Sequence, residues 1–223
     1  MELSDRTLQV LRNCAGINGN IFIEEGNVVR SVSESRTVLS KSTLDVNFPQ
    51  GFGIYDLREF LSVLGLVEKP MLGFNEKYVE IVGSSGRSKI KYFFSDPSTL
   101  TKASKDIELP SNDAWFTLSR ADFTKIKSAA AALGHQEVNV TIHNGVMTLT
   151  VTDNGDSTSN QFSLAVDGQS ETDTLNAVFS INNLKMVEDG DYRVNLSKKM
   201  ISHFVNTESN NEYWVALQKS SNF

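Results

Sequence analysis

The segment EVNVTIHNGVMTLTVT (residues 137–152) indicates the fold class, because it has the features of an antiparallel β-hairpin. Apolar residues occupy every second position from Val138 to Ile142, which is the period of a strand with one buried face. The dipeptide Asn144-Gly145 favours the positive φ angles of a two-residue turn. We therefore expect two antiparallel strands joined by a tight turn.

Similar short runs recur along the chain, each rich in β-branched or alternating apolar residues. They are IFIEE (21–25), VVRSV (28–32), YVEIV (78–82), KIKYFF (89–94), NQFSLAV (160–166), DYRVNL (191–196) and YWVALQ (213–218). Many short runs of this kind are typical of antiparallel sheets.

Four segments with helical periodicity interrupt the strands. They span residues 4–17, 56–67, 119–133 and 181–187, and capping residues such as Ser4, Asp56 and Ser119 stand at their starts. Predicted strands lie between these helices, so the sequence predicts four units that each consist of a helix followed by strands, two per domain. The fold class we expect is α+β, with two similar domains of antiparallel sheets.

A polar stretch around residues 95–110 contains Pro97 and Pro110 and predicts the connector between the domains. We expect an N-terminal domain over residues 1–100 and a C-terminal domain over 101–223. Cys14 is the only cysteine of the 223 residues, which fits a reducing compartment. The N-terminus lacks the apolar core of a signal peptide, and no run approaches the ~18 apolar residues of a membrane span. The sequence predicts a cytosolic-type protein with no membrane contact.

The net charge of −6 argues by itself against nucleic-acid binding, because phosphate contacts need lysine and arginine. The charge is unevenly distributed: the four predicted helices hold 7 basic and 4 acidic residues, and the rest of the chain holds 14 and 23. On the third helix, small residues (Thr124, Ser128 and Ala131) occupy the exposed face between Lys125 and Lys127. Such a face suits close approach to a phosphate backbone without base readout. The alternative is an ordinary solvated helix face. The DNA-contact candidates are Arg6, Arg12, Arg58, Arg120, Lys125, Lys127 and Lys185.

Five motifs, in this order, give the chain a resemblance to a known family. They are MELSDRT (1–7), IYDLREFLSVLGLV (54–67), DPSTL (96–100), NLKMVEDGDY (183–192) and YWVAL (213–217). The chain resembles the DNA polymerase sliding clamps, or polymerase accessory proteins, of T-even-type bacteriophages. The resemblance spans essentially the whole length.

The resemblance implies a homotrimeric ring with helices lining a hole around double-stranded DNA. It implies a processivity factor and not an enzyme, acting in the cytoplasm of the infected bacterium. An ATP-driven clamp loader would place the ring, and DNA polymerase and late-transcription factors would dock through short C-terminal peptides. The resemblance implies that these peptides bind at apolar residues of the connector and of the last strand. These are Leu100, Ile107, Leu109, Tyr213 and Trp214, with Ile107 and Tyr213 expected to border a shallow pocket.

Two other classes of function stay open at this stage: a β-rich structural protein of a virion, and a hydrolase with a scattered active site. No motif supports catalysis. GSSGRS (83–88) lacks phosphate-loop spacing and is expected to be a hairpin turn. DNGD (153–156) lacks the downstream glutamate of a calcium loop. The three histidines lack ligand spacing, so we expect no metal and no cofactor.

Overall fold

The computed structural model describes residues 1–103, 107–172 and 174–223, which form two compact units, Met1–Ser104 and Lys105–Phe223. Every strand pair within them is antiparallel, so the predicted α+β class is confirmed. Residues 104–106 of the predicted connector lie outside the described part of the chain. No helix of the described residues is long and apolar enough to cross a membrane.

The unit Met1–Ser104 has two helices packed against short sheets. Its elements are α1 (Asp5–Ile17), β1 (Ile21–Ile23), β2 (Gly26–Val32), β3 (Val38–Phe48), β4 (Phe52–Ile54), α2 (Leu57–Leu64), β5 (Met71–Phe74), β6 (Tyr78–Val82) and β7 (Lys89–Phe93). Strand β1 pairs with β4, β2 with β3, and β5–β6–β7 form a three-stranded sheet.

The helices of this unit begin where their predicted caps stand. The Ser4 hydroxyl accepts a hydrogen bond from the Thr7 amide at 2.9 Å, and the Asp56 carboxylate accepts from the amides of Arg58 and Glu59. Helix α2 ends at Leu64, three residues earlier than predicted, with Gly65 as its C-cap. Cys14 is buried in the core of this unit, as predicted.

The unit Lys105–Phe223 repeats this plan with longer sheets. Its elements are β8 (Ala114–Leu118), α3 (Arg120–Leu133), β9 (Glu137–His143), β10 (Val146–Thr152), β11 (Phe162–Val166), β12 (Gly168–Ser170), β13 (Asn176–Ser180), α4 (Ile181–Leu184), β14 (Tyr192–Ser197), β15 (Ile201–Asn206) and β16 (Asn211–Ala216). One sheet has the order β11–β10–β9–β13, and the other runs β12–β8–β14–β15–β16. Helix α4 is a single turn, shorter than the predicted 181–187.

The hairpin predicted over residues 137–152 is confirmed in its strands and its turn. His143 pairs with Val146, and the two turn residues have φ angles of 49° (Asn144) and 77° (Gly145). The GSSGRS segment likewise joins the antiparallel strands β6 and β7, which confirms a hairpin turn. These turns set the register of the sheets that carry the helices.

Candidate nucleic-acid interface

Helix α3 presents a smooth face of small residues to solvent. Thr124, Ser128 and Ala131 are exposed, as predicted from their spacing. The Thr124 hydroxyl donates to the Arg120 carbonyl at 2.9 Å, so its hydrogen bond is made within the helix. On the opposite side, Phe123 packs its ring edge-on against Tyr192 and holds the helix to its sheet. The exposed face is therefore fixed in position and free of bulky side chains.

Two cations border this face near the start of α3. Arg120 is exposed, and 64% of the Lys125 side chain is exposed, with its ammonium 3.2 Å from the Asp122 carboxylate. The Ser119 hydroxyl, and next the Lys125 ammonium, hold the pKa of Asp122 below its usual value. Asp122 is thus a charged capping residue that partly offsets Lys125. Both cations keep access to solvent.

The position of the Lys127 side chain differs from the one predicted from the sequence. Its side chain is only 17% exposed, it forms an ion pair with Asp189, and its ammonium lies 4.1 Å from the centre of the Phe123 ring. The same ammonium lies 3.4 Å from the Val187 carbonyl. The prediction that Lys127 flanks the exposed face is wrong. Lys127 is four residues after Phe123, so its aliphatic stem follows the buried stripe and its charge is matched locally.

The other helices contribute isolated cations. Arg12 is exposed on α1, Arg58 on α2 beside the exposed Glu59, and Lys185 at the end of α4. Arg6 is half-buried, near the carboxylate of Asp45. The structure thus leaves Arg12, Arg58, Lys185 and the two α3 cations as the accessible members of the candidate set.

Two acidic residues that shape this surface were missed in the sequence. Asp45 accepts hydrogen bonds from the hydroxyls of Ser4 and Thr7, each at 2.8 Å, and these bonds lower its pKa with a smaller contribution from Arg6. Asp189 matches the charge of Lys127. Both act on helices that lie tens of residues away in the chain. No local pattern signals such pairs, because only the fold brings the partners together.

The candidate docking residues differ in how far they are buried. Tyr213 is 1% exposed and packs its ring 6.2 Å from that of Tyr192, so the prediction that it borders a surface pocket is wrong. Trp214 points to the opposite face of β16, where its ring stacks on His203 at 4.4 Å. Adjacent strand residues alternate between faces, so these two aromatic rings cannot form one wall.

The connector residues have intermediate or low exposure. Leu100 is 8% exposed and packs close to Gly53, in the unit Met1–Ser104. Ile107 and Leu109 are half-buried and keep part of their apolar surface accessible. Within residues 1–103, 107–172 and 174–223, no three His, Cys, Asp or Glu side chains lie together as a metal site.

The matches to known proteins extend over nearly the whole chain. Residues 4–101 match the family model for the DNA polymerase processivity factor, and residues 115–219 match that for the C-terminal part of the gp45 sliding clamp. The sliding clamp of Vibrio phage KVP40 is 30% identical over 223 residues, covering 98% of this chain and 99% of that protein. The sliding clamp of Enterobacteria phage T4 is 25% identical over 227 residues, covering 99% and 98%.

A solved structure shows the same fold at much lower identity. It is A. fulgidus PCNA bound to the C-terminal region of FEN-1, with a TM-score of 0.71, 15% identity, and coverage of 99% of this chain and 98% of that one. The fold is therefore the sliding-clamp fold. The chain belongs to the family of phage sliding clamps, the DNA polymerase processivity factors.

The position of Lys127 predicts that replacing Lys127 by alanine lowers the free energy of unfolding more than replacing Lys125 does. Lys127→Ala should lower the free energy of unfolding by about 1–2 kcal/mol, because it leaves Asp189 unpaired and uncovers Phe123. Lys125→Ala should change it by less than about 0.5 kcal/mol, since exposed ion pairs contribute little. Urea unfolding followed by circular dichroism measures both. Equal effects in the two variants would contradict the structural role of Lys127.

Proposed function

We propose that this chain assembles into a homotrimeric ring that encircles duplex DNA and tethers its polymerase, without a catalytic step of its own. The observation that carries the proposal is family membership over both units, together with solvent-exposed cations on the helices of an acidic chain. We further propose that a loader uses ATP to open the ring and that late-transcription factors are additional partners. The proposed location is the cytoplasm of the infected bacterium.

The DNA contacts we propose are few and independent of sequence. Arg12, Arg58, Lys185, Arg120 and Lys125 are exposed cations on helices, and the small residues of the α3 face let a phosphate backbone come near without reaching base edges. Contacts of this kind are weak and salt-sensitive, which suits a ring that must move along DNA. The proposed mechanism is therefore retention by encirclement, with the cations only guiding the duplex.

Partner docking is proposed at the connector. The solved structure of A. fulgidus PCNA, which shares this fold, holds the C-terminal region of FEN-1, and this supports a peptide tail as the kind of partner. In this chain, Ile107 and Leu109 keep accessible apolar surface, whereas Tyr213 is in the core. We propose that a polymerase tail covers Ile107 and Leu109, with an affinity low enough for exchange between partners.

The trimer is tested by size-exclusion chromatography with light scattering over a range of protein concentrations. We expect a mass of about three times the 24.7 kDa of one chain, because two-domain subunits close a six-domain ring by cyclic symmetry. Dissociation on dilution is compatible with this expectation. A monomer that persists at high micromolar concentration contradicts it.

The DNA contacts are tested by reversing the two accessible charges of α3. The double variant Arg120→Glu, Lys125→Glu should shorten the products of loader-dependent synthesis on the order of tenfold at moderate salt, since six phosphate contacts per trimer become repulsive. The matched control, Lys199→Glu with Lys219→Glu, makes the same charge change at exposed sites outside the helices. Equal product lengths for the two double variants would remove α3 from the DNA-contact surface. A wild-type protein that never stimulates its polymerase would favour the structural, virion-type alternative.

Docking is tested with a fluorescent peptide of the C-terminal residues of the polymerase. Ile107→Asp and Leu109→Asp should each weaken peptide binding by about tenfold or more, because each places a charge where the peptide buries apolar surface. Leu66→Asp is the control, since Leu66 is 74% exposed on a different part of the chain. Unchanged affinity in both connector variants would move the docking site elsewhere.

A further inference from the structure

The start of the connector is bonded to strand β4 and to the turn before β1 in the N-terminal unit. The Ser95 amide donates to the Gly53 carbonyl at 2.9 Å. A few residues later, the Thr101 amide donates to the side-chain oxygen of Asn20 at 2.8 Å. The connector therefore leaves this unit from a fixed position.

A glycine makes this close approach possible. A Cβ atom at position 53 would lie 2.4 Å from Leu100 Cδ1 and 2.7 Å from the Ser95 carbonyl oxygen. Both distances are far shorter than a van der Waals contact of about 3.5 Å, so only glycine leaves room for the connector here. Leu100 occupies that room and is buried. The fit of Leu100 onto Gly53 forms the start anchor of the connector.

The end of the connector is bonded through Asp113 in the C-terminal unit. The Asp113 amide donates to the Leu196 carbonyl at 2.9 Å, and its carbonyl accepts from the Glu171 amide at 3.0 Å. One carboxylate oxygen, Oδ2, accepts from the Ser111 hydroxyl at 2.5 Å and from the Lys198 amide at 2.9 Å. The other, Oδ1, lies 3.0 Å from the Lys198 ammonium. These bonds form the end anchor of the connector.

The end anchor is bonded to a tight turn between β14 and β15. The Ser197 hydroxyl lies 2.7 Å from the Ser111 hydroxyl and accepts from the Lys199 amide at 3.2 Å. The Met200 amide donates to the Ser197 carbonyl at 3.0 Å, and Met200 has a φ angle of 62°. The turn is thus closed by its own hydrogen bonds, and it offers the connector a fixed point on the sheet.

The residues that precede the end anchor have a different character. Residues 107–112 belong to no helix or strand, and the side chains of Ile107 and Leu109 are half-buried. A segment without regular structure loses conformational freedom when a partner covers it, and this loss weakens binding. Because the anchors fix both ends of the connector before a partner arrives, they reduce that loss.

We propose that Gly53 and Asp113 are positioning residues for partner docking: they fix the two ends of the connector and thereby present the apolar surface of Ile107 and Leu109 to a partner peptide. This inference rests on the docking proposed above and assigns further residues that control its affinity. Gly53 has no side chain and Asp113 is only 8% exposed, so both act through the connector and not through contact with the peptide.

The end anchor is tested with the fluorescent polymerase peptide and two substitutions of Asp113. Asp113→Ala should weaken peptide binding about tenfold, because the freed end of the connector must then be ordered on binding. Asp113→Asn should bind within about twofold of the wild type, since its side-chain oxygen can replace Oδ2 as the acceptor for Ser111 and Lys198, and an ion pair to an exposed lysine contributes little.

The matched control for Asp113→Ala is Asp156→Ala. The Asp156 carboxylate also accepts from a backbone amide and a hydroxyl, both of Thr158, but it lies in an exposed turn after β10. Its loss should leave peptide affinity unchanged. Equal affinities of Asp113→Ala and Asp156→Ala, or an Asp113→Asn variant that binds as weakly as Asp113→Ala, overturn the end anchor. If Asp113→Ala fails to fold by circular dichroism, Ser111→Ala replaces it, with an expected loss of about threefold.

A double-mutant cycle separates positioning from a general effect on the fold. Leu109→Ala should weaken peptide binding about threefold less in the Asp113→Ala background than in the wild type, because a connector whose end is free presents Leu109 less well. Additive effects of the two substitutions on affinity overturn the positioning role of Asp113.

The start anchor is tested with Gly53→Ala, and Gly73→Ala is the control. The new methyl group of Gly53→Ala must displace Leu100 or the Ser95 backbone, so peptide binding should weaken about fivefold. A Cβ atom at Gly73, in strand β5 of the same unit, has its nearest neighbour 3.9 Å away and should not change the affinity. Equal affinities of the two variants overturn the start anchor. A wild-type chain that does not bind the peptide refutes docking at the connector itself, whereas a wild type that binds no better than the anchor variants refutes only the anchors.

Discussion

Strand register is the constraint on which the rest of this structure depends. In an antiparallel sheet with one buried face, a shift of one residue would exchange core and surface along the whole strand. The tight turn at Asn144-Gly145 fixes that register for β9 and β10, and the order of bonded pairs then follows across β11. The same alternation puts Tyr213 in the core and Trp214 on the opposite face. This alternation decides which side chains of the sheets reach solvent and which lie in the core.

The helices depend on the sheets for their orientation, and charged residues contribute to that orientation. The ring of Phe123 lies edge-on to Tyr192, and Lys127 covers Phe123 while it pairs with Asp189. Lys127, one of the cations considered for DNA contact, therefore stabilises the packing of its own helix. The helix cations that remain exposed to solvent are therefore fewer than the sequence implies.

The treatment of the sheet edges follows a single physical rule. Unpaired backbone groups at an edge invite another strand, so a chain must cover its edges or use them. Here the backbone of Met1 bonds to the edge strand β5, and the backbone of Asn222 bonds to the edge strand β13. The opposite edges of these two sheets, β7 and β11, differ in side-chain size and in charge.

The sequence by itself determined the antiparallel α+β class, the position and caps of three helices, the β-hairpin and, through its family motifs, the clamp fold. These features depend on contacts between residues close in the chain, so periodicity, turn residues and caps encode them. Only the tertiary structure decided that Lys127 forms an ion pair with Asp189, that Asp45 bonds to the start of α1, and that Tyr213 lies in the core. It also decided that Met1 bonds to the edge strand β5 and Asn222 to the edge strand β13, while β7 and β11 each pair on one side only within the described residues. Each of these depends on partners far apart in sequence, such as Met1 with Leu72 or Asn176 with Asn222, and their pairing has no local pattern because only the folded chain brings them together.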